Sequence, residues 1–364
     1  MKRKFFWWTA GFLLCVAIFI KIYSADAARV ENGYTTSFYP AISRLFRWVF
    51  GWLPISFGDF LYGGAVLYLL VKLIEGVRVL VKRQVTIVSF LDGLKKLTLI
   101  ILSIYIFFNI FWGINYNRQG IATQMGFKKD TISYEGLKEV TLLLITKMNT
   151  SKKYLLHNKI AYPSNAALFY KVQAAYTNAT RQFPFLKYTP SSIKTSMWGW
   201  LGNYTGFTGY YNPFTGEAQV NTTVPKFLQP FVTCHEVAHQ LGYAKEDEAN
   251  MVGYLAALYS TDSLLLYSTY FDLYNYTSRQ LRIQSYLRKD TLLAKQFAAL
   301  LLPEVKADMN EVKEFYMQHR NPFGPMVQKG YGFYLKNNNQ PKGIQSYDDV
   351  TGFLIAYYKK YGTI

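Results

Sequence analysis

Three long apolar segments lie in the first third of the chain, and each is predicted to form a helix. The first covers about residues 5–23, the second about 57–74 and the third about 97–114. Helices in a soluble core are rarely so uniformly apolar over the length that a bilayer requires. The pattern therefore predicts a membrane domain over residues 1–116 with three transmembrane helices.

The first segment has two interpretations. Basic residues 2–4, an apolar run and then Ala25-Asp26-Ala27 are also the order found in a cleaved secretory signal peptide. The apolar run is long and bulky, which favours an uncleaved anchor. Both interpretations place the loop that follows outside the cytoplasm.

Residues 117–364 have a different pattern, in which apolar positions recur at helical spacing. One stretch differs from the rest: Tyr204–Asn221 is rich in Gly, Thr, Tyr and Asn and predicts two strands joined by a turn. The predicted fold is mainly α-helical, with a small sheet just before residue 235. The periodicity is clearest in five stretches, which are Tyr134–Lys147, Asn165–Arg181, Ala249–Leu258, Thr291–Leu302 and Glu304–His319.

Loop charges predict the orientation in the membrane. The loop between the first two segments has only Arg29, Arg44 and Arg47, and its stretch Phe38–Pro54 has amphipathic spacing suited to the outer interface. The next loop is richer in basic residues. By the positive-inside rule this richer loop and the N-terminus are cytoplasmic, and residues 117–364 are extracytoplasmic. The basic residues of the richer loop and its flanks are Lys72, Arg78, Lys82, Arg83, Lys95 and Lys96.

Composition agrees with membrane contact. The chain is 51% hydrophobic and only 17% charged, and its net charge is +18. A basic chain binds either nucleic acid or anionic lipid, and no nucleic-acid-binding motif accompanies the charge here. The expected partner is therefore the lipid bilayer and not a nucleic acid. The two cysteines, Cys15 and Cys234, do not form a disulfide framework and are expected to be small buried hydrophobes.

The strongest chemical motif is the segment His235–His239, which reads His-Glu-Val-Ala-His. A helix beginning near Pro230 and ending near Leu241, with Gly242 after it, would carry the segment. Histidines at i and i+4 share one helical face and can both bind one Zn²⁺. Glu236 would lie beside that face as the general base that activates a zinc-bound water.

A second acidic segment follows closely and supplies candidates for the third metal ligand. Glu246 and Asn250 share a face of a predicted second helix, so Glu246 is expected to bind the metal and Asn250 to orient a histidine. Glu248 projects from another face and is the less favoured ligand. The cluster also fits a solvated helix N-terminus.

Other parts of such a site are less well defined by the sequence. The strand pair in Tyr204–Asn221 either holds an extended peptide or only covers the motif helix. Hydrolysis also requires a donor near the developing oxyanion. Tyr254, Tyr347 and His319 are candidates, and their spacing selects none of them; His319 also fits an ordinary surface histidine.

At these residues the sequence resembles the gluzincin zinc metallopeptidases, in which HExxH is followed by a helix with Glu and, four residues on, Asp or Asn. Lys245 stands where the metzincin pattern would have its third histidine. Nearly the whole chain resembles a family of bacterial membrane proteins, domain of unknown function 3810. That resemblance implies an envelope protein with a zincin-like α+β domain and no established substrate. The matching stretches are Trp52–Asp59, Gly209–Ala218, His235–Gly242, Glu246–Asn250 and Ser346-Tyr347.

The sequence thus predicts a zinc metallopeptidase, with a peptide or protein as substrate, in the bacterial inner membrane. Its metal ligands would be His235, His239 and Glu246. Glu236 would be the catalytic base, and Asn250 would orient one of the ligand histidines. Two alternatives remain open. One is a non-catalytic envelope protein with a structural zinc site. The other is an assembly factor that binds partners through the Tyr-rich hairpin and the basic surface.

Overall fold

Residues 3–82, 85–129 and 131–364 are described in the computed structural model. Its N-terminal part consists of long helices joined by short ones. A π-helix over Val30–Phe38 connects the second helix, Ala27–Arg29, to the third, Tyr39–Gly51. The third helix confirms the amphipathic helix predicted within Phe38–Pro54. A 3-10 turn at Gly113–Asn117 leads into the rest of the chain. The helices are α1 (Arg3–Ser24), α2 (Ala27–Arg29), α3 (Tyr39–Gly51), α4 (Phe57–Val81) and α5 (Ile87–Phe111).

Helices α1 and α5 pack together near their C-terminal ends. The Lys21 ammonium of α1 lies 5.9 Å from the centre of the Tyr105 ring of α5. In the π-helix that follows, the Tyr34 hydroxyl donates to the Ile110 carbonyl of α5 at 2.9 Å. Both helices therefore run toward the C-terminal part of the molecule. In contrast, α4 begins there and leads away from it, and α5 returns.

Two described helices are long and apolar enough to cross a membrane, Lys4–Ser24 and Ile87–Phe111, and few of their residues are buried. Helix α4, which covers the second predicted segment, is not one of them. It continues past residue 74 to Val81 and includes Lys72, Glu75 and Arg78. The prediction of three transmembrane helices is therefore supported for two helices and corrected for the middle one. Lys2 and Arg83, which contributed to the predicted cytoplasmic charge, lie outside the described residues.

The predicted mainly helical architecture is confirmed in the rest of the chain, and all five helices expected from periodicity are present. Three strands interrupt the helices. In chain order the elements are α6 (Ile121–Gln124), α7 (Tyr134–His157), α8 (Asn165–Ala179), β1 (Ile193–Thr195), α9 (Gly199–Thr205), β2 (Gly209–Asn212), β3 (Glu217–Val220), α10 (Gln229–Gln240), α11 (Glu246–Leu258), α12 (Ser263–Leu287), α13 (Thr291–Ala299), α14 (Pro303–Gln318), α15 (Gly324–Asn337) and α16 (Val350–Tyr361).

The small sheet has the order β1-β3-β2 and confirms the predicted strand pair. β2 and β3 are antiparallel, with Gly209 opposite Val220 and Asn212 opposite Glu217. β1 pairs in parallel with β3, and the sequence did not predict it because only three residues take part. β3 is central and packs against α10, so the sheet lies directly beside the motif helix.

The core is built around α10 and α11. Every residue of α10 is buried, and so is every residue of α11 up to Ala257. A helix buried on all sides belongs to the interior of a domain and not to its surface. The helices α8 and α12 pack around this pair, and α7 lies against α12. The histidine motif therefore lies in the interior of the domain.

Helix α4 is joined to the sheet through a buried carboxylate. Glu217 of β3 accepts from the backbone amide of Phe57 at 3.0 Å and from that of Gly58 at 2.6 Å. The free amides of a helix N-terminus favour an anion, so Glu217 stabilises the start of α4. A Cβ atom on Gly58 would lie 2.4 Å from the Asn212 side chain, which explains the glycine. Two stretches that carried the family resemblance, Trp52–Asp59 and Gly209–Ala218, thus meet here.

Candidate metal centre

A tight turn brings the beginning of α11 back to the histidines of α10. Pro230 lies in the first turn of α10, and the helix ends at Gln240, as the sequence predicted. Gly242 follows with φ +87°, a left-handed conformation that favours glycine. The Tyr243 amide then donates to the Ala238 carbonyl at 3.2 Å, which closes the turn. Helix α11 begins at Glu246, also as predicted.

The three predicted metal ligands converge on one point. The two Nε2 atoms of His235 and His239 are 3.1 Å apart, and Glu246 Oε2 lies 3.2 Å from the first and 3.4 Å from the second. Ligand atoms about 2.0–2.1 Å from a tetrahedral zinc ion are separated by about 3.3 Å. The three separations therefore fit a single Zn²⁺ with tetrahedral geometry.

Hydrogen bonds hold both imidazole rings in the orientation that a metal requires. Nδ1 of His235 lies 2.8 Å from Asn250 Oδ1, and Nδ1 of His239 lies 2.7 Å from the Tyr243 carbonyl. Both partners are acceptors, so both Nδ1 atoms carry a proton, and in the neutral rings both Nε2 atoms present lone pairs. Two lone pairs and a carboxylate oxygen at such short range require a cation or a proton among them. The donor set therefore suits a metal ion, and Asn250 lies where the sequence placed it.

The electrostatics of the three groups agree with a site for positive charge. Burial raises the pKa of Glu246, but the histidines hold that pKa well below its usual range. Burial lowers the pKa of His239, yet the Glu246 carboxylate outweighs this and raises it to about 9. Glu246 is therefore ionised at neutral pH and favours a cation bound to either histidine.

Glu236 lies beside the ligands and does not join them. Its side chain is buried, and its Oε2 atom has no hydrogen-bond partner among the described residues. Burial raises the pKa of the carboxyl to about 7, although the two histidines act to lower it. A Cβ atom on Gly209 would lie 2.6 Å from Glu236 Oε1, so the glycine at the start of β2 leaves room for this carboxylate.

The alternative ligand Glu248 lies elsewhere. Its Oε1 atom is 3.4 Å from Lys245 Nζ, and its carboxylate packs against Gly120. It does not belong to the group formed by His235, His239 and Glu246. Glu246 and Glu248 lie on different faces of α11, as their spacing predicted, and only Glu246 faces the histidines.

Two tyrosines complete the surroundings of the ligands. Tyr331 donates its hydroxyl hydrogen to Glu246 Oε1 at 2.6 Å, and Tyr347 stacks on His235 with ring centres 6.0 Å apart. Of the other oxyanion candidates, Tyr254 packs in the core against a tyrosine of α16, and His319 packs against Tyr204. The sequence missed Tyr331 because it lies on α15, far from the motif along the chain.

Two cavities meet at this centre. The smaller, of about 300 Å³, is lined mainly by aromatic residues and reaches Tyr62 of α4 and Trp112 beyond α5. The larger, of about 470 Å³, extends from the motif to α12. A chain-like substrate can therefore approach from either side. The residues that line both cavities are Phe207, Gly209, His235, Glu236, Tyr331 and Tyr347.

We predict that Asn250→Ala weakens zinc binding about 10–100-fold, because the Nδ1 proton of His235 loses its acceptor. The measurement is competition with a chelator of known zinc affinity. Asn158→Ala is a matched control, since Asn158 bonds only within the exposed end of α7. Equal zinc affinities for wild type and Asn250→Ala would show that Asn250 does not support the ligand.

The comparisons with known proteins give one positive result. A search of curated proteins and a search of solved structures found no match. The model of the family described as "Protein of unknown function (DUF3810)" matches residues 34–355. This range begins in the π-helix and ends in α16, so it includes the whole site. The chain belongs to this family.

Proposed function

We propose that the protein is a membrane-anchored, zinc-dependent hydrolase that cleaves peptide bonds through a zincin-like catalytic domain. His235, His239 and Glu246 would hold the zinc ion, and Glu236 would be the catalytic base. The observation that carries this proposal is the set of three donor atoms 3.1–3.4 Å apart with a buried carboxylate beside them that has an unpaired oxygen.

Each surrounding residue has a part in the proposed chemistry. A zinc ion bound there supplies Lewis acidity toward a carbonyl oxygen and toward water. Glu236 accepts the proton of the attacking water and passes it to the leaving amine. Asn250 keeps His235 in the reactive tautomer, and Tyr331 holds the Glu246 carboxylate in place. Tyr347, over the His235 ring, is the candidate oxyanion donor.

Strand β2 supports a peptide as the substrate. It is an edge strand of the sheet, and it begins at Gly209, directly beside Glu236. An extended peptide can add to such an edge through backbone hydrogen bonds, which would lay a peptide bond across the centre. This arrangement favours a peptidase over a hydrolase for small molecules.

We place the catalytic domain outside the cytoplasm, with the protein in the bacterial inner membrane. Helices α1 and α5 are apolar and mostly exposed, as expected of helices that contact lipid. The end of α4 and the first turns of α5 lie away from the domain and carry Arg78, Lys82, Lys95 and Lys96. By the positive-inside rule this basic end would face the cytoplasm. The proposal therefore requires α4 to cross the membrane between α1 and α5, although it carries Lys72 and Glu75.

The proposal is tested with the full chain purified in detergent. We expect about one zinc ion per chain by elemental analysis, together with cleavage of a peptide mixture followed by mass spectrometry. Chelation should abolish cleavage, and added zinc should restore it. Bound zinc without any cleavage would contradict the hydrolase and favour a structural zinc; absence of bound zinc would contradict both.

A further inference from the structure

The larger cavity beside the metal centre has a polar wall formed by α12. Five α12 residues line it. Four of them, Asp272, Asn275, Tyr276 and Arg279, follow one another at i, i+3, i+4 and i+7, and the fifth is Arg282. This spacing places them on one face of the helix. Most other residues of the first half of α12 are buried in the core, so this face is the part of the helix available to a ligand.

Asp272 is the notable residue of this wall. It is partly buried, it lines the same cavity as His235 and Glu236, and its side-chain hydrogen-bond partner is Asn275. Within the described part of the chain, no lysine or arginine forms an ion pair with it. A carboxylate has acceptor capacity for several donors, and a buried one is normally paired with a cation.

The arginines near Asp272 do not act as its cationic partner. Arg279 pairs with Asp348 at 3.1 Å, and Arg282, which also lines the cavity, is exposed and forms no ion pair with Asp272. Burial raises the pKa of Asp272 to about 7, and only the charge of His235 and the Asn275 hydrogen bond act to lower it. Among the described residues, the carboxylate therefore has no lysine or arginine as an ion-pair partner.

We propose that Asp272 is the recognition site for an organic cation of the substrate, either a basic side chain or a free α-ammonium group, next to the cleaved bond. This inference rests on the proposed hydrolase. Asp272 lines the same cavity as His235 and Glu236, so a ligand group held at the metal centre can extend along the cavity toward Asp272. The α-ammonium source would make the enzyme an aminopeptidase, and the side-chain source would make it specific for basic residues.

Binding of three hydroxamates to the zinc-loaded full chain tests the proposal without any turnover. Acetyl-arginine hydroxamate carries only a side-chain cation, leucine hydroxamate carries only an α-ammonium group, and acetyl-leucine hydroxamate carries neither. Each is titrated by calorimetry against wild type, Asp272→Asn and the control Glu135→Gln. Asparagine keeps the size and the hydrogen bond to Asn275, and Glu135 is an exposed carboxylate outside the cavity.

We expect wild type to bind one of the two cationic hydroxamates at least about tenfold more tightly than acetyl-leucine hydroxamate. The preferred compound identifies the source of the cation. Asp272→Asn should remove the preference and keep the affinity for acetyl-leucine hydroxamate, while Glu135→Gln should change neither.

Three results would overturn the inference, and they separate the role of Asp272 from the open metal site. Equal binding of all three compounds to wild type, or an unchanged preference in Asp272→Asn, rejects the role of Asp272 and leaves the hydrolase standing. Failure of all three to bind a chain that contains zinc rejects the open metal site itself, and the inference with it.

Discussion

Glu236→Gln is expected to lower the rate of peptide hydrolysis about 10²–10⁴-fold while the zinc content remains that of the wild type. The variant keeps the size of the side chain and removes its ability to accept a proton. The metal ligands are not altered, because Glu236 lies beside the group formed by His235, His239 and Glu246. Turnover of a cleaved peptide and elemental analysis on the same sample measure both quantities.

The zinc-free variant offers a second measurement that does not depend on turnover. The pKa of Glu236 is raised from its usual value of 4.5 to about 7 in the folded chain, so ionisation disfavours the fold as pH rises between these values. Glu236→Gln should therefore melt at a higher temperature than zinc-free wild type near neutral pH. The difference should shrink toward about pH 5, where the wild-type carboxyl is protonated in the folded chain.

A variant that retains zinc and full turnover would show that another group is the base. Loss of zinc together with turnover would instead assign Glu236 to metal binding. Glu248→Gln serves as the matched control: it is also a buried glutamate near the site, but its carboxylate packs against Gly120. We expect this control to keep its zinc and its turnover.

Local sequence patterns were sufficient to predict which side chains of α10 and α11 come together. The bounds of α10 follow from Pro230 and Gly242, and the choice of Glu246 over Glu248 follows from helical faces alone. These residues lie close together along the chain, so spacing converts directly into geometry. Tyr331 and Asp272 could not be found in this way, since only the packing of α15 and α12 brings them to the cavities.

The fold also contains elements that local sequence patterns did not predict. Hydrophobic periodicity predicted the helices in which one face is apolar, but it did not predict α12, where tyrosine, serine and threonine are buried with the leucines. β1 is three residues long and depends on parallel pairing with β3. In the membrane part, the predicted apolar segment ended at residue 74, whereas α4 extends seven residues further and carries Glu75 and Arg78 there.

Arg118→Met is expected to lower the free energy of unfolding by about 3–5 kcal/mol, because it leaves a buried carboxylate without its cation. Arg118 and Glu31 are both buried and form a two-pronged ion pair, with N–O distances of 2.8 and 3.1 Å. Arg118 also donates to the Gly242 carbonyl at 3.1 Å and lies 4.3 Å from the centre of the Tyr243 ring. The pair thus ties the π-helix to the turn that positions His239.

Denaturant unfolding of the zinc-free chain in detergent measures this loss. The double variant Arg118→Met/Glu31→Gln should recover much of it, because glutamine removes the uncompensated charge and still accepts from Gln124. Lys138→Met is the surface control; its partner Glu135 is 73% exposed, and we expect a change within about 1 kcal/mol. If Arg118→Met were no more destabilising than this control, another group would have to compensate the charge of Glu31. The turn at Gly242 would then hold its shape through the glycine and the backbone hydrogen bonds alone.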